Sequence, residues 1–150
     1  MATPSSNAAL FQRVLDSFSR QGLMNHLGAT VHTVEPGQVV LRMPFRPELT
    51  QQHGYFHAGA TSALADSAGG YAGLTLFPEN SSVLTVEFKI NLLAPACGDY
   101  LEATGKVLRS GRTLTVCQVD VCAIRGAESV PVAIVQQTLI CINDRPAGGS

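Results

Sequence analysis

Hydrophobic positions change their period several times along the 150-residue chain, and the changes mark its elements. Leu10, Phe11, Val14, Leu15 and Phe18 recur at helical spacing up to Gly22. They predict a short amphipathic helix, capped by Ser5 or Ser6, after a loose start over residues 1–6. From residue 30 the pattern turns to strands, expected over 30–34 and 38–43 with a turn at Pro36-Gly37 between them. Residues 44–56, with Pro47, Gly54 and two glutamines, read as an ordered loop. A segment built mostly of Gly, Ala, Ser and Thr follows from residue 57 to about 77 and predicts one long central helix. Four strand patterns complete the chain at 84–92, 100–109, 113–124 and 130–142, joined by turns at 110–112 and at Gly126. In the first of these, Leu84, Val86, Phe88, Ile90 and Leu92 alternate with Thr85, Glu87, Lys89 and Asn91. The alternation predicts one apolar face and one polar face.

The order helix, two strands, central helix, four strands implies an antiparallel sheet with one helix to bury, an α+β domain. Small side chains on nearly every side of that helix allow a curved sheet to wrap closely around it. The expected organisation is a tail and short helix over 1–27, the domain proper over 28–142 and a flexible tail over 143–150.

Composition sharpens this picture. A chain of this length supports a hydrophobic core without metal or disulfide staples. With 45% hydrophobic and only 14% charged residues, part of its surface is expected to be hidden in an oligomer. The net charge of −1, with no run of Lys or Arg, gives no general attraction to nucleic acid or to an anionic membrane. The start of the chain lacks the basic-then-apolar pattern of a signal peptide, and residues 63–77 are too short an apolar stretch to span a bilayer. Cys97, Cys117, Cys122 and Cys141 form no C-x-x-C pair. Reduced thiols in a cytoplasmic protein are expected, with Cys117 and Cys122 on opposite faces of one strand.

One carboxylate interrupts the small-residue helix: Asp66. An ionised acid there needs a partner, a cavity or a raised pKa. It can be structural, on an exposed stripe or bonded to a hydroxyl such as that of Ser62, or it can carry chemistry. His57 and Ala58 stand where the helix begins. Free N–H groups and the positive end of the helix dipole there suit a carbonyl oxygen that becomes an oxyanion, and Gly54 and Gly59 permit close approach. His57 can equally be a capping or core histidine. His53 and His57 have the spacing of helical metal ligands, but Gly54 lies between them and no acidic third ligand follows in register, so no metal is expected.

The run Gln51-Gln52-His53-Gly54-Tyr55-Phe56-His57-Ala58-Gly59, with Asp66 nine residues beyond His57, resembles the signature of hotdog-fold acyl-CoA thioesterases of the phenylacetate-pathway (PaaI-like) type. Residues 82–95 resemble that family's next strand, and the likeness covers about residues 28–142. The resemblance implies a hotdog fold and hydrolysis of acyl-CoA without a cofactor. Asp66 takes the position of the acid that acts as nucleophile or as base on water, and the N–H of Ala58 that of the oxyanion donor. Thr85 takes the place of a Ser or Thr that orients the water or the acid. Gln51 stands where the family usually has Asn. His57 belongs to the same motif and shapes the turn. The resemblance further implies a homodimer or homotetramer in which the acid of one subunit faces the helix start of its partner.

Gly59 and Tyr55 are expected near the substrate, with Phe56, Tyr71 and Leu74 as further lining able to admit an aryl or a medium aliphatic chain. Lys106, Arg109 and Arg112, around the turn at Ser110-Gly111, are expected to meet the phosphates of coenzyme A, unless that turn is simply solvated. No Gly-rich nucleotide loop occurs. Two other readings remain open: a hydroxyacyl-thioester dehydratase or hydratase using His57 with Asp66, and a non-catalytic acyl-CoA-binding module in which Asp66 is structural.

Overall fold

The computed structural model describes residues 4–144, and residues 1–3 and 145–150 of the expected tails lie outside them. Six strands form one antiparallel sheet in the order β1-β2-β4-β5-β6-β3. They are β1 (Thr30–Glu35), β2 (Gln38–Pro44), β3 (Ser81–Leu92), β4 (Tyr100–Ser110), β5 (Leu114–Arg125) and β6 (Glu128–Asn143). The long helix α3 (Ala58–Leu74) lies against the concave face and touches β2, β3, β4, β5 and β6. This is the hotdog arrangement, and the α+β architecture expected from the order of elements holds.

The small residues of α3 allow direct backbone contact with the sheet. A Cβ placed on Gly105 of β4 would lie 2.4 Å from the carbonyl oxygen of Ala68, so helix and strand meet main chain to main chain. Residues 67–74 of α3 are all buried, whereas the first half of the helix, from Ala58 to Asp66, stays partly open on one side.

The N-terminal region departs from expectation. Helix α1 (Pro4–Phe18) starts before the proposed caps, so Ser5 and Ser6 lie inside it. A second helix, α2 (Gly22–Leu27), follows, closed by Gly28 at a φ of 70° in the left-handed region. Only Met24 and Leu27 of α2 are buried, too few to leave a periodic signal in the sequence. Both helices belong to the domain's core. Val14, Phe18, Met24 and Leu27 join its buried cluster, and the Phe18 ring packs 5.9 Å from that of Tyr71 on α3. Arg13 closes the far end of α3, donating to the carbonyls of Leu74, Phe77 and Pro78 at 3.2, 3.0 and 2.7 Å. At the other terminus, Asn143 ends β6, and Asp144 donates its N–H to the carbonyl of Asn80 at 3.0 Å. The chain is therefore held through residue 144 rather than 142.

Strand β3 corrects the simple alternation. A bulge shifts its register on β6, so that Thr85 lies opposite Leu139 while Glu87 lies opposite Thr138. Thr85 thereby joins Phe88 and Ile90, opposite Gln137 and Val135, on the helix side of the sheet. Leu84, opposite Ile140, turns to the other side. Among the described residues only β6 pairs with β3, whose other edge is open, and Leu84, Val86, Phe88 and Leu92 are all exposed. On β5 the expectation for the cysteines holds: Cys117 is buried and Cys122 is half-buried on the opposite face, and all four cysteines are free thiols.

Candidate active site

The start of α3 is built by its own N-cap. His57, in an extended conformation at φ −66° and ψ 138°, turns its ring over the first helical turn and accepts the N–H of Gly59 on Nδ1 at 2.7 Å. Gly59 has no side chain because a Cβ there would lie 2.9 Å from that nitrogen. The N–H groups of Ala60 and Thr61 bond to the carbonyl of His57 at 3.0 and 3.1 Å. Among the described residues the N–H of Ala58 has no acceptor, which leaves it as the free donor at the positive end of the helix.

The preceding loop presents a second donor. Gln51 accepts the N–H of His53 on Oε1 at 2.5 Å, and because that N–H can only donate, the amide nitrogen Nε2 of Gln51 must point the other way. Gly54, at a φ of 82°, makes the tight turn between Gln51 and Tyr55, and the N–H of Gln51 bonds to the carbonyl of Tyr55 at 2.9 Å. Gln51, Tyr55, Phe56, His57 and Ala58 open into one cavity of about 660 Å³, walled across from them by Leu92 and Leu93.

Asp66 is elsewhere. It lies eight residues along α3 from Ala58, about 12 Å at the helical rise of about 1.5 Å per residue. Its carboxylate enters a separate cavity of about 550 Å³ with Thr85, Tyr71 and Leu74. Thr85 donates to Asp66 Oδ1 at 2.7 Å, a contact available only because the β3 bulge turns Thr85 towards the helix. Gln137, fully buried on β6, donates through Nε2 to the same Oδ1 at 2.6 Å, to the main-chain oxygen of Asp66 at 3.0 Å and to Thr85 Oγ1 at 3.1 Å. Oδ2 of Asp66 has no partner among the described residues and is the oxygen left to the cavity. The local alternative for Asp66 does not occur: Ser62 donates instead to the carbonyl of Ala58 at 2.7 Å.

Within one chain, then, the structure joins Asp66 to Thr85 and joins Ala58, His57, Gln51 and Tyr55 to one another. It does not join the two groups. Gly59 borders a third hollow with Ala60 and Ala63, and its N–H is taken by His57. Lys106, Arg109 and Arg112 are exposed near the β4–β5 turn, line neither large cavity and make no ion pair among the described residues. Sequence reasoning missed Gln137. Its place in a polar Gln-Gln-Thr break within an apolar strand was the one available signal. Among the described residues no group of three or more His, Cys, Asp or Glu could hold a metal ion.

A single helix wrapped by an antiparallel sheet defines the hotdog-fold class. The chain belongs to the Thioesterase superfamily, whose family model matches residues 53–130. It is similar to a thioesterase family protein of Silicibacter pomeroyi, at 46% identity and a TM-score of 0.87 over 89% of this chain and 98% of that one. Human acyl-coenzyme A thioesterase 13 is 30% identical over 92 residues, 61% of this chain and 65% of that protein. The PaaI protein of the E. coli phenylacetic acid degradation operon shares the fold, with a TM-score of 0.82 at 21% identity over 92% of this chain and 96% of that one. Gln51 and Gln137 both fall outside the matched segment.

Proposed function

We propose that the protein hydrolyses acyl-CoA thioesters, with aryl or medium-chain acyl groups, at sites shared between two copies of the chain. The observation that carries this reading is the separation just described: an acid with one free oxygen in one cavity, and an unengaged N–H at a helix start in another. Both cavities abut strand β3, the first near residues 81–85 and the second near Leu92 and Leu93. A two-fold axis across the open β3 edge would lay one end of the strand beside the other end of its copy. Asp66 of each chain would then face Ala58 of the partner subunit. The exposed Val86, Phe88 and Leu92 along that edge support such pairing.

In this site the thioester carbonyl oxygen accepts from the Ala58 N–H and from Gln51 Nε2. Water activated by Asp66, or Asp66 Oδ2 itself, adds to the carbonyl carbon. Charge gathers on the oxygen at the helix start, where the dipole and the donor are already oriented. The C–S bond then breaks, and the CoA thiolate leaves as a stable anion that needs no strong acid. Addition at Oδ2 would give a mixed anhydride, which a water then cleaves to the free acid and the Asp66 carboxylate. Lys106, Arg109 and Arg112, without an ion pair among the described residues, supply cations for the phosphates of CoA. Four free thiols, with no helix long and apolar enough to cross a membrane among the described residues, fit a reducing, cytoplasmic setting.

The test is hydrolysis of a panel of aryl- and alkyl-CoA esters by the wild type and by Asp66→Ala, with fold and assembly checked for both. A loss of about 10²-fold or more in kcat is expected, the scale of a missing acid–base group. Hydrolysis untouched by the substitution would make Asp66 structural, and binding of CoA esters without any hydrolysis would favour a non-catalytic module.

A further inference from the structure

We propose that Gln137 is the residue that positions the Asp66 carboxylate, and that the chain accepts a poorly satisfied core in order to keep it there. The inference rests on the proposed role of Asp66. Gln137 lies between Val135 and Leu139 on the inner face of β6, and none of the three is more than 1% exposed. An apolar side chain is the simplest occupant of such a place. The orientation of its amide follows from the acceptors it meets. The main-chain oxygen of Asp66 can only accept, so the atom 3.0 Å from it must be the donor Nε2.

That orientation leaves Oε1 buried without a hydrogen-bond partner among the described residues. It also constrains the helix opposite. A Cβ on Gly69 would lie 1.8 Å from Oε1, so α3 carries a glycine in its interior, where glycine disfavours helix, to make room for the amide. An orphaned acceptor and an interior glycine both weaken the fold. A methionine of the same length at position 137 would avoid the first.

What the arrangement secures is the carboxylate. Gln137 from β6 and Thr85 from β3 both donate to Oδ1, and Gln137 also donates to Thr85, closing a triangle of hydrogen bonds around one oxygen. Two donors from two strands fix the plane of the carboxylate and commit Oδ1. Oδ2 is thereby the oxygen presented to the cavity. Gln137 acts through Asp66 and is a positioning residue: its removal should slow the chemical step and leave substrate binding almost unchanged.

The experiment compares wild type, Gln137→Met, Gly69→Ala and Asp66→Asn on the CoA ester that the wild type hydrolyses best, measuring kcat, KM and Tm. Gln137→Met keeps the length and removes the donors. Gly69→Ala keeps the donors and pushes the amide away from its place. Both are expected to lower kcat by about 10-fold or more with KM within about twofold, the behaviour of a displaced catalytic group. Gln137→Met is expected to do so without lowering Tm. Should Asp66→Asn abolish turnover while both other variants keep the wild-type kcat, the positioning role falls and the reading of Asp66 stands. Should kcat fall only together with Tm, or KM rise in step, Gln137 is structural and the proposal is wrong. Should Asp66→Asn turn over like wild type, the reading of the site fails and this inference with it.

Discussion

Gly105 and Ala68 meet so closely that no side chain fits between them: a Cβ on Gly105 would lie 2.4 Å from the Ala68 carbonyl oxygen and 2.7 Å from the Gly69 nitrogen. Strand β4 thereby sets the depth at which α3 lies, and with it the position of Asp66 two residues earlier. Gly105→Ala should force helix and strand apart. A loss of about 3 kcal/mol, at the upper end of the range for overpacking, is expected, lowering Tm by roughly 6–12 °C for a domain of this size. Gly70→Ala is the contrast, since its Cβ would meet nothing within 4 Å. There the gain in helix propensity should stabilise by about 0.5–1 kcal/mol. Thermal melts of the two variants read both signs. Equal effects would mean that the contact does not control the packing.

The shared site proposed above makes a quantitative demand on mixtures. In that arrangement Gln51→Ala and Asp66→Ala would damage opposite halves of each site, so a heterodimer of the two variants would hold one site with both defects and one with neither. Random mixing after co-expression should restore about a quarter of wild-type activity, because half of the dimers are mixed and one of their two sites is intact. Two nearly inactive proteins would become measurably active together. No recovery, with mixed dimers shown to form, would place Gln51 and Asp66 of the same chain at the same site.

Cys117 is fully buried, and burial pushes its thiol up from an ordinary 9.0 to about 12. Between those values the unfolded chain loses a proton that the folded chain keeps, so stability falls as pH rises through this window. Unfolding by urea at pH 7 and at pH 10.5 should show the wild type losing about 1–2 kcal/mol more than Cys117→Ala. In the same protein at pH 8 the exposed Cys97 should react with a thiol reagent while Cys117 stays protected until the chain unfolds. Equal pH dependence of the two proteins would refute the buried neutral thiol.

Much of the fold was legible because its periods are clean. The alternation of β4 and β5 and the small-residue run of α3 each report a local preference repeated over ten or more residues. Asp66 was legible for the opposite reason, as the one charge in a segment that otherwise avoids charge. What escaped was whatever depends on a single residue's partner. The six-residue α2 leaves two buried positions and no period. The β3 bulge moves Thr85 to the helix side through its pairing with β6, and nothing in Thr85-Val86-Glu87 announces the extra residue.

By itself the sequence determined the order of the strands and of the two longer helices, the single helix to be wrapped and the acid placed within it, since each follows from interactions between residues near in the chain. Only the tertiary structure decided which oxygen of Asp66 is held, that Gln137 from β6, 71 residues away, holds it, and that Ala58 and Asp66 of one chain open into different cavities. Hydrogen bonds and cavities form between elements brought together by the sheet. Their geometry belongs to register and packing, which a pattern of apolar and polar letters does not contain.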